Sequence, residues 1–188
     1  MNDIGVALRD ITAVMQRLGI SYAVIGGVAV RAYGIPRPTY DLDFTIDISR
    51  ERLVELFDAV ENDGYTVAES DRSGGIDEVA GMPLVKFRCD IQGQGVDVDI
   101  FIAEKPFQRE LLKRRQRVEM PDGDTWLASP EDILLLKLLA HRPRDLSDIG
   151  DILFTQGELD WGYLRRWADL IGVREPLEAV LKQRDEMC

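Results

Sequence analysis

The chain has 188 residues, of which 45% are hydrophobic and 30% charged, and its formal net charge is −11. This composition excludes a chain too polar to fold and suits one domain of ordinary size with a core of its own. The acidic balance excludes a protein that broadly coats nucleic acid or membrane, no apolar run approaches the ~20 residues of a membrane span, and the N-terminus lacks the pattern of a secretory signal.

Residues 1–18 are predicted to be helical, because Ile4, Leu8, Ile11, Met15 and Leu18 recur at three- and four-residue spacing and Gly19 ends the run. Residues 21–25 read as a short strand stopped by Gly26-Gly27, and residues 28–33 as a short helix ended by Gly34. Pro36 and Pro38 enforce an extended connection. Residues 41–46 read as a strand with Leu42, Phe44 and Ile46 on one face. Ser49 is the expected cap of a helix carrying Leu53, Leu56, Phe57 and Val60, and residues 65–68 are expected to return as a strand. Residues 69–82 are polar and read as a loop. Two strand-like runs, 84–91 and 96–103, flank Gln92-Gly93-Gln94-Gly95, which is a hairpin signal. A basic helix is expected over 106–116, then two short strands around the turn at Pro121-Asp122-Gly123-Asp124. Ser129-Pro130-Glu131-Asp132 has the residue types of a helix start, and the rest of the chain reads as helix. The expected division is a mixed sheet over residues 1–128 and a helical region over 129–188, packed as one compact unit.

The rare residues narrow the chemistry. His141 is the single histidine, and Cys89 and Cys188 are the two cysteines. They form no zinc pattern and no disulfide framework, so a cytoplasmic location is expected. Catalysis, if present, falls to carboxylates, a lysine and a hard metal ion.

D-x-D occurs at Asp41/Asp43, Asp97/Asp99 and Asp122/Asp124. The third lies in a Gly-containing turn and is read as turn chemistry. The first two sit inside apolar strand patterns, which puts the members of each pair on one strand face, roughly 6–7 Å apart along the backbone. Like charges held this way need water, basic partners or a metal. One such pair is most simply the wet face of a sheet. Two pairs on separate strands, with a Gly-Gly turn before the first, suit carboxylates that converge on Mg²⁺, and two ions can clamp a phosphoryl displacement. A helix start behind Gly-Gly offers backbone N–H groups to phosphate.

Ile25-Gly26-Gly27 followed by Arg37-Pro38-Thr39-Tyr40-Asp41-Leu42-Asp43-Phe44 resembles the signature of the DNA polymerase beta-like nucleotidyltransferase superfamily. The Arg37-x-Thr39-x-Asp41-x-Asp43 spelling, with Ser129-Pro130-Glu131-Asp132, Lys137 and Arg142-Pro143-Arg144-Asp145-Leu146-Ser147-Asp148-Ile149, is similar to the bacterial subgroup related to abortive-infection, type IV toxins. The resemblance covers roughly residues 20–155. It implies an α/β (α+β) nucleotidyltransferase fold, a mixed sheet flanked by helices with a C-terminal helical part. It also implies transfer of a nucleoside monophosphate from an NTP to a hydroxyl acceptor, either tRNA or another hydroxyl-bearing molecule, with Mg²⁺ (two ions) as cofactor and a cognate antitoxin protein as partner.

Carried over by position, the resemblance assigns Asp41 and Asp43 to metal and Gly26 and Gly27 to phosphate. Asp99 is the third carboxylate, because it directly precedes Ile100-Phe101, with Pro106-Phe107 following; Asp97 on the same strand face is the alternative. Lys137, the one charge within the apolar run 133–140, is assigned to the triphosphate, against a reading in which it snorkels to the surface. Arg37, Thr39 and Arg144 join the nucleotide-binding set. Asp145 and Asp148 read at least as well as an N-cap and first-turn acid of the next helix as they do as site residues, and Trp126, Trp161 and Trp167 read as core residues rather than a base-stacking platform. Lys105, Arg109, Lys113, Arg114, Arg115 and Arg117 form a basic strip, read either as a solvated helix face or as a phosphate-binding surface. The competing reading is a degenerate member of the fold that binds nucleotide or protein without turnover.

Overall fold

The computed structural model describes residues 3–67, 77–79, 81–91, 94–120 and 123–187. The chain divides into two compact units: Met1–Val28 with Pro38–Ala128, and Ala29–Arg37 with Ser129–Cys188.

The first unit is built on a mixed sheet. In chain order its elements are α1 (Asp3–Arg17), β1 (Ser21–Ile25), the start of α2 (Gly26–Tyr33), β2 (Asp41–Asp47), a 3₁₀ turn (Arg50–Arg52), α3 (Leu53–Asn62), β3 (Asp77–Val79), β4 (Met82–Ile91), β5 (Gln94–Ile102), α4 (Pro106–Arg114), β6 (Gln116–Val118) and β7 (Thr125–Leu127). Among the described residues the sheet has seven strands in the order β3-β4-β5-β2-β1-β7-β6. β2 pairs with β5, and β1 with β7, in parallel; the other neighbours are antiparallel. Alternation divides the two central strands cleanly. Leu42, Phe44 and Ile46 on β2, and Val98, Ile100 and Ile102 on β5, are buried on one face. α1 and α4 pack on the sheet, and α3 packs on α1 through Leu53, Leu56, Phe57 and Val60.

The second unit is helical: the end of α2, then α5 (Pro130–Ala140), α6 (Pro143–Thr155), α7 (Trp161–Leu170) and α8 (Arg174–Met187). α5 packs on α6 and α7, and α8 on α6 and α7. Ser129 caps α5 as its sequence suggests, with its hydroxyl oxygen accepting the Asp132 N–H at 3.2 Å.

Several elements differ from the sequence expectation. The helical third is helical as expected and holds four helices; its first break falls where His141 takes a left-handed conformation (φ 49°) that ends α5 and Pro143, which has no N–H, starts α6. The strand expected over 65–68 is a single bridge between Thr66 and Arg88; Ala68 lies outside the described residues. Part of the expected loop 69–82 is strand: Asp77–Val79 pairs with the start of β4. Residues 69–76 and 80 of that loop, together with Gln92, Gly93, Pro121, Asp122 and Cys188, lie outside the described residues. α2 begins at Gly26 rather than at Val28, and Ser49 precedes the 3₁₀ turn without a capping hydrogen bond from its side chain. Trp167 is buried, whereas Trp126 and Trp161 are half-buried. Among the described residues no helix is long and apolar enough to cross a membrane.

Candidate active site

The two D-x-D pairs meet in register. Asp41 pairs with Asp97 and Asp43 with Asp99 across the parallel β2–β5 ladder. Paired residues point to the same face, so four carboxylates stand in two ranks, with about 5 Å between the strands and roughly 6–7 Å between the ranks. Burial deepens along both strands. Asp41 and Asp97 are exposed, Asp43 and Asp99 are half-buried, and Thr45 and Phe101, next in line, are buried. The inner rank therefore carries the stronger electrostatic penalty. Burial, with the nearby charges of Asp41 and Asp97, pushes the Asp99 carboxyl up from its ordinary range, against the lowering effect of Lys86.

A third strand supplies the counter-charge. β4 places Lys86 opposite Asp99 and Arg88 opposite Asp97. The Lys86 Nζ lies 3.3 Å from Asp99 Oδ2, and the Arg88 Nη1 lies 3.0 Å from Asp97 Oδ1. Among the described residues, Lys86 and Arg88 thus stand against two of the four carboxylates. Neither Lys86 nor Arg88 was among the sequence candidates. Their signal was present: a K-x-R alternation on a strand joined by a tight hairpin to D-x-D brings the two patterns opposite each other.

The two glycines lie against the first D-x-D. Gly26 has φ +60°, and a Cβ there would overlap the Asp43 carboxylate. A Cβ on Gly27 would overlap the Thr39 side chain. Thr39, itself buried, donates its hydroxyl to Asp41 Oδ1 at 2.8 Å. The glycines thus free the first N–H groups of α2 and also make room for the acidic strand. Thr39 acts on the site by orienting Asp41.

Among the described residues, no three Asp, Glu, His or Cys side chains stand together as a metal cluster. Asp41 is turned to Thr39, Asp97 to Arg88 and Asp99 to Lys86. The donor set nevertheless suits a hard divalent cation: its donors are all carboxylate oxygens on rigid paired strands, and the Lys86 ammonium already stands beside one of them as a cation.

The other sequence candidates lie in the helical unit. Lys137 is buried, with its ammonium 2.8 Å from Asp145 Oδ1 and 2.7 Å from Asp148 Oδ2. It does not snorkel. Arg37 holds Asp148 through two contacts, Nε–Oδ1 at 2.6 Å and Nη2–Oδ2 at 2.7 Å. Arg142 holds Asp145 with its backbone N–H at 3.1 Å and its Nε at 2.9 Å. Asp145 is thus the first-turn acid of α6, and Arg144 in the same turn is exposed. Burial alone would raise both carboxyls. The hydrogen bonds from Arg142 and Lys137 to Asp145, and from Arg37 and Lys137 to Asp148, hold both below the usual carboxylate range. The basic strip, which lies in the first unit, is spread over α4, its two caps Lys105 and Arg115, and β6. Arg109 donates to the Ala103 carbonyl, Lys113 pairs with Glu110, Arg115 stacks over Trp126 and Arg117 pairs with Asp124.

The family model of the nucleotidyl transferase AbiEii toxin, type IV toxin–antitoxin system, matches residues 9–171. The chain belongs to this family. It is a nucleotidyltransferase, as the superfamily resemblance implied. No curated protein matches the chain. Solved structures show the same mixed α/β nucleotidyltransferase fold. An antigenic nucleotidyltransferase-like protein from Paracoccidioides brasiliensis is 20% identical, with 97% of this chain and 94% of that one covered and a TM-score of 0.55. The ANT(2")-Ia structure in complex with adenylyl-2"-tobramycin is 16% identical, with 95% and 98% covered and a TM-score of 0.55. The lincomycin-bound lincosamide antibiotic adenylyltransferase LnuA is 14% identical, with 83% and 99% covered and a TM-score of 0.52.

Three predictions follow from this geometry. Gly26→Ala combines a left-handed backbone with overlap on Asp43, so it should destabilise the protein by at least ~1–2 kcal/mol in denaturant unfolding. Unchanged stability would mean that α2 does not start in this conformation. In the helical unit, Asp145 and Asp148 bind fewer protons folded than unfolded, so their stabilisation is present at neutral pH. It is lost as pH falls below the ordinary carboxylate range and through their folded values. Lys137→Met should cost about 3–5 kcal/mol at neutral pH, because it leaves two buried carboxylates short of a cation. Urea unfolding at pH 7 and in acid checks both statements, and a Lys137→Met protein of wild-type stability would contradict them.

Proposed function

We propose that the protein transfers a nucleoside monophosphate from an NTP to a hydroxyl acceptor, with Asp41, Asp43 and Asp99 holding Mg²⁺ as two ions. The observation that carries this reading is the register that sets Asp43 beside Asp99. Bound there, Mg²⁺ would neutralise charge on the phosphates and on the attacking and leaving oxygens. The chain's own groups do the rest. Gly26 and Gly27, at the start of α2, offer N–H donors to phosphate oxygens. Thr39 fixes the rotamer of Asp41. Asp99, the inner and more buried carboxylate of its pair, takes the acceptor's hydroxyl proton. The freed oxygen forms a bond to the α-phosphorus, the bond from that phosphorus to the bridging oxygen breaks, and pyrophosphate leaves.

Asp99 is preferred to Asp97 as the third carboxylate because its side chain is 25% exposed against 64% and it pairs with the inner aspartate, Asp43. The acceptor is tRNA or another hydroxyl-bearing molecule, and the family supports a cognate antitoxin protein as partner. The setting proposed is the cytoplasm, where NTPs are available. Within the helical unit we assign Arg37 and Lys137 first to the ionic cluster around Asp145 and Asp148. A role for them, or for Arg144, toward the triphosphate is a further part of the proposal.

Purified protein incubated with Mg²⁺, each α-labelled NTP in turn, and RNA, protein or small-molecule extracts should label one acceptor class. Asp99→Asn should abolish that labelling, and Asp97→Asn should retain measurable transfer. A dead Asp97 variant beside an active Asp99 variant would shift the third carboxylate by two residues. No label with any acceptor would favour a binding protein without turnover.

A further inference from the structure

The proposed reading leaves Lys86 without a role, yet Lys86 is the cation nearest to the inner carboxylate rank by register. Across three neighbouring strands the order is Lys86, Asp99, Asp43. Asp99 therefore has a lysine on one flank and a like-charged aspartate on the other. Its Oδ2 accepts from the Lys86 Nζ at 3.3 Å. The Lys86 side chain is half exposed, so it can swing into solvent without breaking any packing of the core. The neighbouring Arg88 is placed differently. It pairs with the exposed Asp97, and its guanidinium lies over Gly95, where a Cβ would overlap it. The sheet thus gives the inner rank a mobile point charge and the outer rank a planar fork laid on the backbone.

We propose that Lys86 is a positioning residue that stands in for the divalent cation at Asp99 and is displaced when the cation binds. The inference rests on the proposed metal-holding role of Asp43 and Asp99. A divalent ion between these carboxylates takes up lone pairs of Asp99 and repels an ammonium a few ångströms away. The ammonium and the ion therefore compete for one carboxylate. Without the ion, the Lys86 ammonium holds Asp99 Oδ2 and keeps the carboxylate aimed along the sheet. With the ion, the ammonium leaves Asp99. Lys86 thereby raises the cation concentration at which the site fills.

Mn²⁺ titration followed by the electron paramagnetic resonance of the free ion tests this directly, with thermal melts in EDTA and in saturating Mn²⁺ as a second readout. Lys86→Met should bind Mn²⁺ at least about fivefold more tightly than the wild type. It should also melt lower in EDTA and show a larger rise in melting temperature on adding Mn²⁺. Lys86→Arg should stay near the wild type. Arg88→Met should change the affinity less than Lys86→Met, because Arg88 faces Asp97. Equal or weaker Mn²⁺ binding by Lys86→Met would overturn the inference, and so would equal effects of the two methionine variants, which would reduce it to a general field. If the wild type and Asp43→Asn bind Mn²⁺ alike, or the wild type binds none, the metal-holding reading itself fails and the inference falls with it. If Asp43→Asn loses Mn²⁺ while Lys86→Met matches the wild type, only the inference fails.

Discussion

Asp43 and Asp99 carry the same charge, and the parallel pairing of β2 with β5 holds them side by side. The ladder hydrogen bonds and the apolar face behind them, Leu42, Phe44, Val98 and Ile100, fix that register, because a slip by one residue would turn every carboxylate into the core. The repulsion therefore cannot be relieved by sliding the strands. It must be offset by charge, and the neighbouring features of the first unit follow from that. Lys86 and Arg88 stand on the adjacent strand, Thr39 holds Asp41, and Gly26 leaves room for the Asp43 carboxylate. Like-charge crowding on a rigid scaffold is costly without an ion and useful with one.

The helical unit solves the opposite problem. Its carboxylates, Asp145 and Asp148, are fully matched by Lys137, Arg37 and Arg142, and the contacts are short. A buried ionic cluster of this kind is weak as a source of net stability but costly to break in part. It joins the segment that carries Arg37 to α5 and α6 within one unit. The contrast separates the two sets of acids: one is buried among cations, and the other stands on a sheet face whose outer rank is exposed.

The strands and the in-strand aspartates of the candidate site were legible in the sequence because both depend on local pattern. Period-two alternation around Asp41, Asp43, Asp97 and Asp99 is visible without any fold. Gly-Gly before the acidic strand marks a turn for the same reason. What was not legible depended on pairing. Lys86 and Arg88 acquire meaning only when β4 is registered against β5, and the pairing of Asp43 with Asp99 needs a crossover that no local pattern states. Lys137 was read toward a triphosphate because sequence shows its apolar neighbours but not the acids that α6 brings back to it. The helical third was read as helix, with Asp145 and Asp148 at the start of one of its helices; the break before them rests on His141 in a left-handed conformation and Pro143 at the first turn of α6.

The central claim is that Asp41, Asp43 and Asp99 together hold a divalent cation. Anomalous diffraction from crystals soaked in Mn²⁺ tests it most directly. The account predicts density about 2.0–2.3 Å from oxygens of Asp43 and Asp99, with Asp41 completing the set and the Lys86 ammonium withdrawn from Asp99. Anomalous density confined to Asp97, or none on this face of the sheet with Lys86 still on Asp99, would contradict it.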